Sequence, residues 1–234
     1  MSALLEACNL IRRHPFGQRR LLENISLTLN PGDRAAVAGP SGSGKTLLLR
    51  ALALLDTIDG GRVLWHGRPI RNQDVPGFRC HAIYLHQRPS LLADTVEAAL
   101  RQPLALAVHR RREFNKPWII ERLAFLGRDE KFLDQKVANL SGGEMQITAL
   151  LRAVQLEPNV LLLDEPASAL DPKTAAAVEQ WLTAWIDQSP DARAMIWVTH
   201  DVNQAKRVAN RMLHMENGHL KTAESGARRV ERGE

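Results

Sequence analysis

"RAAVAGPSGSGKT", residues 34–46, is the stretch that decides how this 234-residue chain folds. Its last eight residues fit G-x-x-x-x-G-K-[ST], with Gly39, Gly44, Lys45 and Thr46 at the fixed positions. "RAAVAG" reads as a short buried strand running into the loop. "TLLLRALALLD", residues 46–56, follows with the length and apolar density of a helix. Strand, glycine loop and helix together form the context that separates a phosphate loop from an incidental glycine-rich turn. Glycines let the backbone wrap so that its amides point inward at an anion. Gly39, Pro40, Ser41, Gly42, Ser43, Gly44, Lys45 and Thr46 are therefore the candidate nucleotide-binding residues. Lys45 is placed to meet β and γ phosphates, and the Thr46 hydroxyl to bind Mg²⁺.

Further along, strand-like runs alternate with helical ones. Leu4–Leu10 and Ile25–Leu29 read as short strands, "RVLWHGRPI" as a hairpin pair, and "HAIYLHQ" as a strand ending near Gln87. Residues of about 89–156 change to helical patterns without a strand signal up to Asn139. "NVLLLDEP" and "RAMIWVTHD" are buried strands flanking the amphipathic run "KTAAAVEQWLTAWIDQ", and Asn217–Gly218 marks a hairpin turn. The pattern predicts an α/β fold with a mostly parallel sheet, an N-terminal antiparallel β region and an inserted α-helical subdomain. One domain spans 1–221, with a polar tail over 222–234.

Composition bounds the function. Hydrophobic content of 44% and charged content of 24% are those of an ordinary globular protein. A net charge of +5 suits an anionic ligand, a nucleic acid or a membrane surface, but a solvated basic surface explains it equally well. The two cysteines form no CxxC or metal-ligand spacing, which points to a reduced, cytosolic setting. The N-terminus lacks the order of a signal peptide, and no apolar run approaches the ~20 residues that span a bilayer.

The candidate chemistry gathers at strand ends. Asp164, closing the apolar run of "VLLLDEP", is placed to hold Mg²⁺ through water. Glu165 beside it can polarise a water towards the γ-phosphate. Alone, either acid could simply cap the next helix. His200 and Gln87 also follow strand-like runs. Parallel strands bring their carboxyl ends to one edge, where His200 could touch the γ-phosphate and Gln87 could reach Mg²⁺ or the attacking water.

One motif fits none of this. "LSGGE", residues 140–144, is a second glycine-rich helix start, roughly a hundred residues after the first. In chain order, "GPSGSGKT", Gln87, "LSGGE", "VLLLDEP", "SALD" and "TH" resemble the ATP-binding cassette (ABC) ATPases over nearly the whole length. That family's signature is usually written LSGGQ. The resemblance implies ATP hydrolysis with Mg²⁺, and two copies packed head to tail. Ser141, Gly142, Gly143 and Glu144 of one copy would then cover ATP held by the other, and Asp171 of "SALD" would face the partner. Glu144 is also an acid well placed in a helix's first turn.

The family usually stacks an aromatic on adenine near the end of its first strand. Here Arg12 falls closest to that place and Phe16 a few residues on, and either could stack. A single cassette without a membrane span implies a separate permease at the cytoplasmic face of the cell membrane, and no specific nucleic-acid partner. The wording around "TVEAALRQP" and "NLSGGEMQITALLRAVQLEPNVLLLDEPASALD" is similar to that of small bacterial iron-efflux transporter ATPases. An importer ATPase, an exporter of lipids or small molecules, and a non-transport cassette acting on nucleic acid are the alternatives.

Overall fold

A computed structural model describes residues 2–14, 17 and 20–222. In chain order it contains β1 (Leu5–Arg13), β2 (Arg20–Leu29), β3 (Arg34–Ala38), α1 (Lys45–Leu52), β4 (Gly60–Trp65) and β5 (Arg68–Pro69). Then come α2 (Val75–His81), β6 (Ala82–Leu85), α3 (Val96–Arg101), α4 (Lys116–Phe125) and α5 (Gly142–Val154). The chain continues with β7 (Val160–Asp164), α6 (Pro172–Asp187), β8 (Ala194–Val198), α7 (Val202–Val208), β9 (Arg211–Glu216) and β10 (His219–Thr222).

The strands form two sheets. A four-stranded antiparallel sheet has the order β2-β1-β4-β5, and a six-stranded sheet the order β10-β9-β3-β8-β7-β6. Every neighbouring pair of the larger sheet is parallel except β9 with β10. The expected α/β architecture, with a largely parallel sheet and an antiparallel N-terminal region, is what the structure has.

The continuous apolar runs of β7 and β8 have a simple cause. Side chains alternate between the faces of a strand, and both faces here are covered. Val160 and Leu162, with Ala194, Ile196 and Val198, pack into a core with the small sheet and α1. Leu161 and Leu163, with Met195 and Trp197, face the opposite way, into a core built with α3, α4, α5 and α6. The helical stretch thus shares a continuous core with the sheet. Its only β pairing among the described residues is an isolated bridge between Thr95 and Lys136.

Several boundaries differ from the sequence pattern. The first helix stops at Leu52, although apolar residues continue to Leu55. Leu54 adopts a left-handed φ of 54°, and the Leu55 amide bonds back to the Arg50 carbonyl at 2.8 Å, closing the helix end. Thr222, expected in a loose tail, pairs with Leu213 as the last residue of β10; the remaining tail residues, 223–234, lie outside the described residues. Helices α2 and α7 carried too little periodicity to be seen in the sequence.

Candidate nucleotide-binding site

The phosphate loop joins the end of β3 to the start of α1, so its amides face the edge where the parallel strands end. Gly39 is needed for space: a Cβ there would sit 2.0 Å from the Met215 carbonyl oxygen. The Lys45 ammonium donates to the carbonyls of Gly39 and Pro40, each at 2.8 Å, and so lies along the loop. Burial pushes its pKa below the usual lysine value, with the charges of Glu165 and Asp164 opposing. Pro40, Ser41 and Gly42 form the exposed rim, Gly44 leads into the helix, and Thr46 is exposed in its first turn.

The acidic side of the site comes from β7. Asp164 is buried, and its Oδ2 accepts from the Thr46 hydroxyl at 2.8 Å and from the Tyr84 hydroxyl at 3.1 Å. Burial, with Asp164 close by, pushes the Tyr84 phenol above its usual pKa, so it stays a proton donor. Glu165 follows in a left-handed conformation, φ 47°. A glutamate there is strained by roughly 1–3 kcal/mol, and such residues concentrate at functional sites. The backbone holds the strain: the Glu165 amide bonds the Val198 carbonyl of β8 at 3.1 Å. Its carboxylate accepts from Gln87 Nε2 at 2.8 Å and lies 3.5 Å from His200 Nδ1. Parallel β6, β7 and β8 thus bring Gln87, Glu165 and His200 to one point, although they are far apart in sequence.

His200 is mostly exposed, and its loop is anchored from below. Buried Thr199 donates to Gln204 at 2.7 Å, Gln204 donates to Glu179 of α6 at 2.9 Å, and Arg207 clamps Glu179 with two bonds at 2.8 and 2.9 Å.

The signature lies at the start of α5. Ser141 is the N-cap and forms a capping box with Glu144. Ser141 and Gly142 are exposed, while Gly143 packs close beneath residue 169: a Cβ on it would sit 2.9 Å from the Ala169 carbonyl oxygen. Among the described residues, no hydrogen bond links residues 140–144 to the phosphate loop of the same chain. Asp171, on the same loop as Ala169, is exposed and caps α6 by accepting from the amides of Lys173 and Thr174.

Two further residues were not foreseen. Tyr84 supports Asp164, as above. Gln146 is fully buried; its amide donates to the Glu165 carbonyl at 2.9 Å and accepts from the Ala169 amide at 3.2 Å. It ties the signature helix to the loop behind Glu165. The one sequence signal for it is a polar residue inside an apolar helical stripe, "MQITALL".

Arg12 donates to the Thr57 hydroxyl at 2.6 Å and lies 3.6 Å from Asp59, so its guanidinium is already engaged. Phe16, the other adenine candidate, lies outside the described residues.

The donors present fit a magnesium-bound nucleoside triphosphate. Ser43 Oγ is buried with no partner inside the loop, as expected of a group kept for an anion. The ammonium of Lys45 supplies charge, and the Thr46 hydroxyl and Asp164 carboxylate are hard oxygen ligands. Separately, a cleft of about 670 Å³ opens between β6 and the helical stretch, lined by Ile83, Leu85, Leu91, Leu106 and Val108 together with Arg152. Leu106 and Val108 are exposed.

With this geometry the chain belongs to the ABC transporter family, as an ATP-binding domain; the family model matches residues 22–168. Among similar proteins, a sulfate/thiosulfate import ATP-binding protein of Cucumis sativus is 36% identical over 225 residues, covering 92% of this chain and 61% of that protein. A spermidine/putrescine import ATP-binding protein of Pasteurella multocida is 34% identical over 208 residues, covering 88% of this chain and 54% of that protein. The chain spans about three fifths of the length of curated relatives that it matches. A solved dimeric ATP-binding cassette in a post-hydrolysis state, bound to ADP and Pi, superposes with a TM-score of 0.81 at 25% identity, covering 93% of this chain and 98% of that one.

Proposed function

We propose that this chain binds and hydrolyses ATP as one of two identical subunits, and that this turnover drives a separate membrane permease. The observation that carries the reading is the meeting of Lys45, Thr46, Asp164, Gln87, Glu165 and His200 at the strand ends of one sheet edge. In this reading the amides of residues 39–46, the Ser43 hydroxyl and Lys45 cradle the β and γ phosphates. Thr46, Asp164 and Gln87 would hold Mg²⁺, which would supply charge to neutralise the phosphates. Glu165 takes a proton from a water as the water adds to the γ-phosphorus. The β–γ bridging bond breaks, giving ADP and phosphate. Gln87 and His200 bracket the Glu165 carboxylate and orient that water.

The signature argues for a second copy. Ser141 and Gly142 are exposed and make no bond to the phosphate loop of their own chain, among the described residues. In our reading, Ser141, Gly142, Gly143 and Glu144 close over the partner's nucleotide, with the Asp171 loop crossing the interface. The dimeric cassette that this chain resembles over 98% of its length supports that arrangement. The apolar cleft beside β6 is the surface we assign to the permease, and in this reading the subunit sits at the cytoplasmic face of the membrane. No described helix is long and apolar enough to cross a bilayer.

Import is the direction the relatives favour, since those described above are named for sulfate/thiosulfate or spermidine/putrescine import. They give no support to iron efflux, which rested on a resemblance in sequence wording and in the short helical insertion. The test is complementation by mixing. Lys45→Ala and Ser141→Arg chains are each expected to be inactive. Heterodimers of the two retain one site in which both halves are sound, so partial ATPase activity returns. Cross-linked heterodimers as inactive as either parent mean either that the signature acts in cis or that both sites must fire together. Weakened ATP binding by the Ser141→Arg monomer would then remove the two-copy reading, and normal binding would keep it with coupled sites.

A further inference from the structure

The signature ends in Glu144, where the family usually has glutamine, and the structure shows what that acid does locally. Glu144 Oε2 accepts from the Ser141 hydroxyl at 2.8 Å and from the Ser141 amide at 2.9 Å. In return, Ser141 Oγ accepts from the Glu144 amide at 3.3 Å. A serine hydroxyl has one proton to give, and here it goes to the carboxylate. What Ser141 then offers outward is its one remaining lone pair. A γ-phosphate oxygen is itself only an acceptor, so it gains nothing from it.

We propose that Glu144 is a positioning residue that withholds the Ser141 hydroxyl from the partner's nucleotide and so sets how tightly the two subunits close. The inference rests on the two-copy reading above. For Ser141 to donate across the interface, its hydroxyl must rotate away from the carboxylate and give up a charge-assisted bond, the stronger kind. The carboxylate also adds negative charge at the face that meets phosphate. Arg128 offsets it only in part: its Nε is 3.9 Å from Oε1, the oxygen that does not hold Ser141. The acid stays ionised at neutral pH, because the Ser141 amide, then the hydroxyl, hold its pKa below the usual carboxylate range. An amide at this position keeps the shape and can still accept from the backbone, but it is uncharged and a weaker competitor for the hydroxyl.

A purely structural role gives different expectations. Glutamine serves a capping box as well as glutamate does, so Glu144→Gln would leave dimerisation unchanged, and Glu144→Ala would weaken it by fraying α5. The withholding role predicts tighter closure for both variants.

The experiment measures ATP- and Mg²⁺-dependent dimerisation by sedimentation equilibrium in full-length chains that carry Glu165→Gln, so that ATP persists. Adding Glu144→Gln is expected to lower the dimer Kd about tenfold, on the scale of one charge-assisted bond. Glu144→Ala should also lower it, although its Tm falls. The Glu144→Gln advantage should shrink as salt rises from ~0.05 to ~0.5 M, because the repulsion it removes is screened. An ATP-dependent dimer with an unchanged or higher Kd in Glu144→Gln would overturn the withholding role and leave the two-copy reading standing. No ATP-dependent dimer in the Glu165→Gln parent, at any Glu144 state and at ~100 μM protein, would overturn both.

Discussion

The phosphate loop at residues 39–46 and the signature at 140–144 are both glycine-rich starts of helices, but the fold uses them in opposite ways. The phosphate loop looks into its own molecule: Ser43 and Lys45 are buried, and Thr46 is bonded to Asp164 from a strand 118 residues away. The signature satisfies its hydroxyl with its own Glu144 and presents Ser141 and Gly142 to the outside. Among the described residues, its helix ties to the site from below, through Gln146 to the Glu165 carbonyl. A polar loop that finds its counterparts within the chain is half of a site made in cis. One whose polar groups are locally satisfied and outward-facing needs another surface to act on.

Four substitutions would break or sharpen that contrast. The largest effect belongs to Glu165→Gln. Removing a general base lowers turnover by about 10²–10⁴-fold, while ATP stays bound; phosphate release and size-exclusion chromatography with Mg²⁺ and ATP would show both. Near-normal turnover would take the chemistry away from the Glu165 cluster. Next is Gln146→Leu, which cuts the link between the two regions. It removes one of the two bonds to the Glu165 carbonyl, which keeps only the Ser168 amide at 3.1 Å, and takes the Gln146 acceptor from the Ala169 amide; each lost bond costs about 0.5–1.5 kcal/mol. Chemical denaturation should show the loss, and ATP turnover should fall further than ATP affinity, because the strained Glu165 loses a support.

Lys45→Ala acts on the inward-facing loop alone. Losing one charge-assisted contact to phosphate, about 1.5–3 kcal/mol, should weaken Mg-ATP binding roughly 10–100-fold by calorimetry. Unchanged affinity would remove the phosphate-loop assignment. The smallest effect is expected beneath His200. Burial raises the pKa of Glu179, but hydrogen bonds from Arg207 and Gln204 and the charge of Arg207 outweigh it, and its carboxyl is held below the ordinary value. A depressed folded pKa means that its stabilisation is present above the unfolded pKa, near 4.5, and is lost as pH falls through the folded one. Glu179→Gln should therefore lower the urea midpoint at pH 7 by on the order of 1 kcal/mol equivalent and flatten its decline in acid. Equal slopes for both proteins would put the acid sensitivity elsewhere.

Much of the active face was legible in the sequence because its motifs are local. Lys45 and Thr46 lie at fixed spacing within eight residues, and Asp164 and Glu165 are adjacent at the end of an apolar run. A short range of backbone fixes their geometry, so pattern alone places them on a loop and a strand end. The alternation within β7 and β8 was hidden, because a strand buried on both faces has no polar period to read. Helix ends were misjudged where tertiary packing overrode propensity, as at Leu54. The iron-efflux resemblance rested on likeness of wording rather than on any physical constraint, and the relatives described above are named for import.

By itself, then, the sequence determined the parallel α/β class, the phosphate loop and the acid pair, since each is a local pattern with one compatible backbone. The tertiary structure alone decided that Gln87 and His200, expected at the same sheet edge, make direct contact with Glu165, that Tyr84 and Gln146 support the site, and that Glu144 holds the Ser141 proton. The first four of these contacts join residues 19 to 80 positions apart or arise from separate strands and helices, and no periodicity encodes such a meeting. The last is only three residues long, yet it depends on the rotamers of two side chains at a helix start, which a string of letters does not specify.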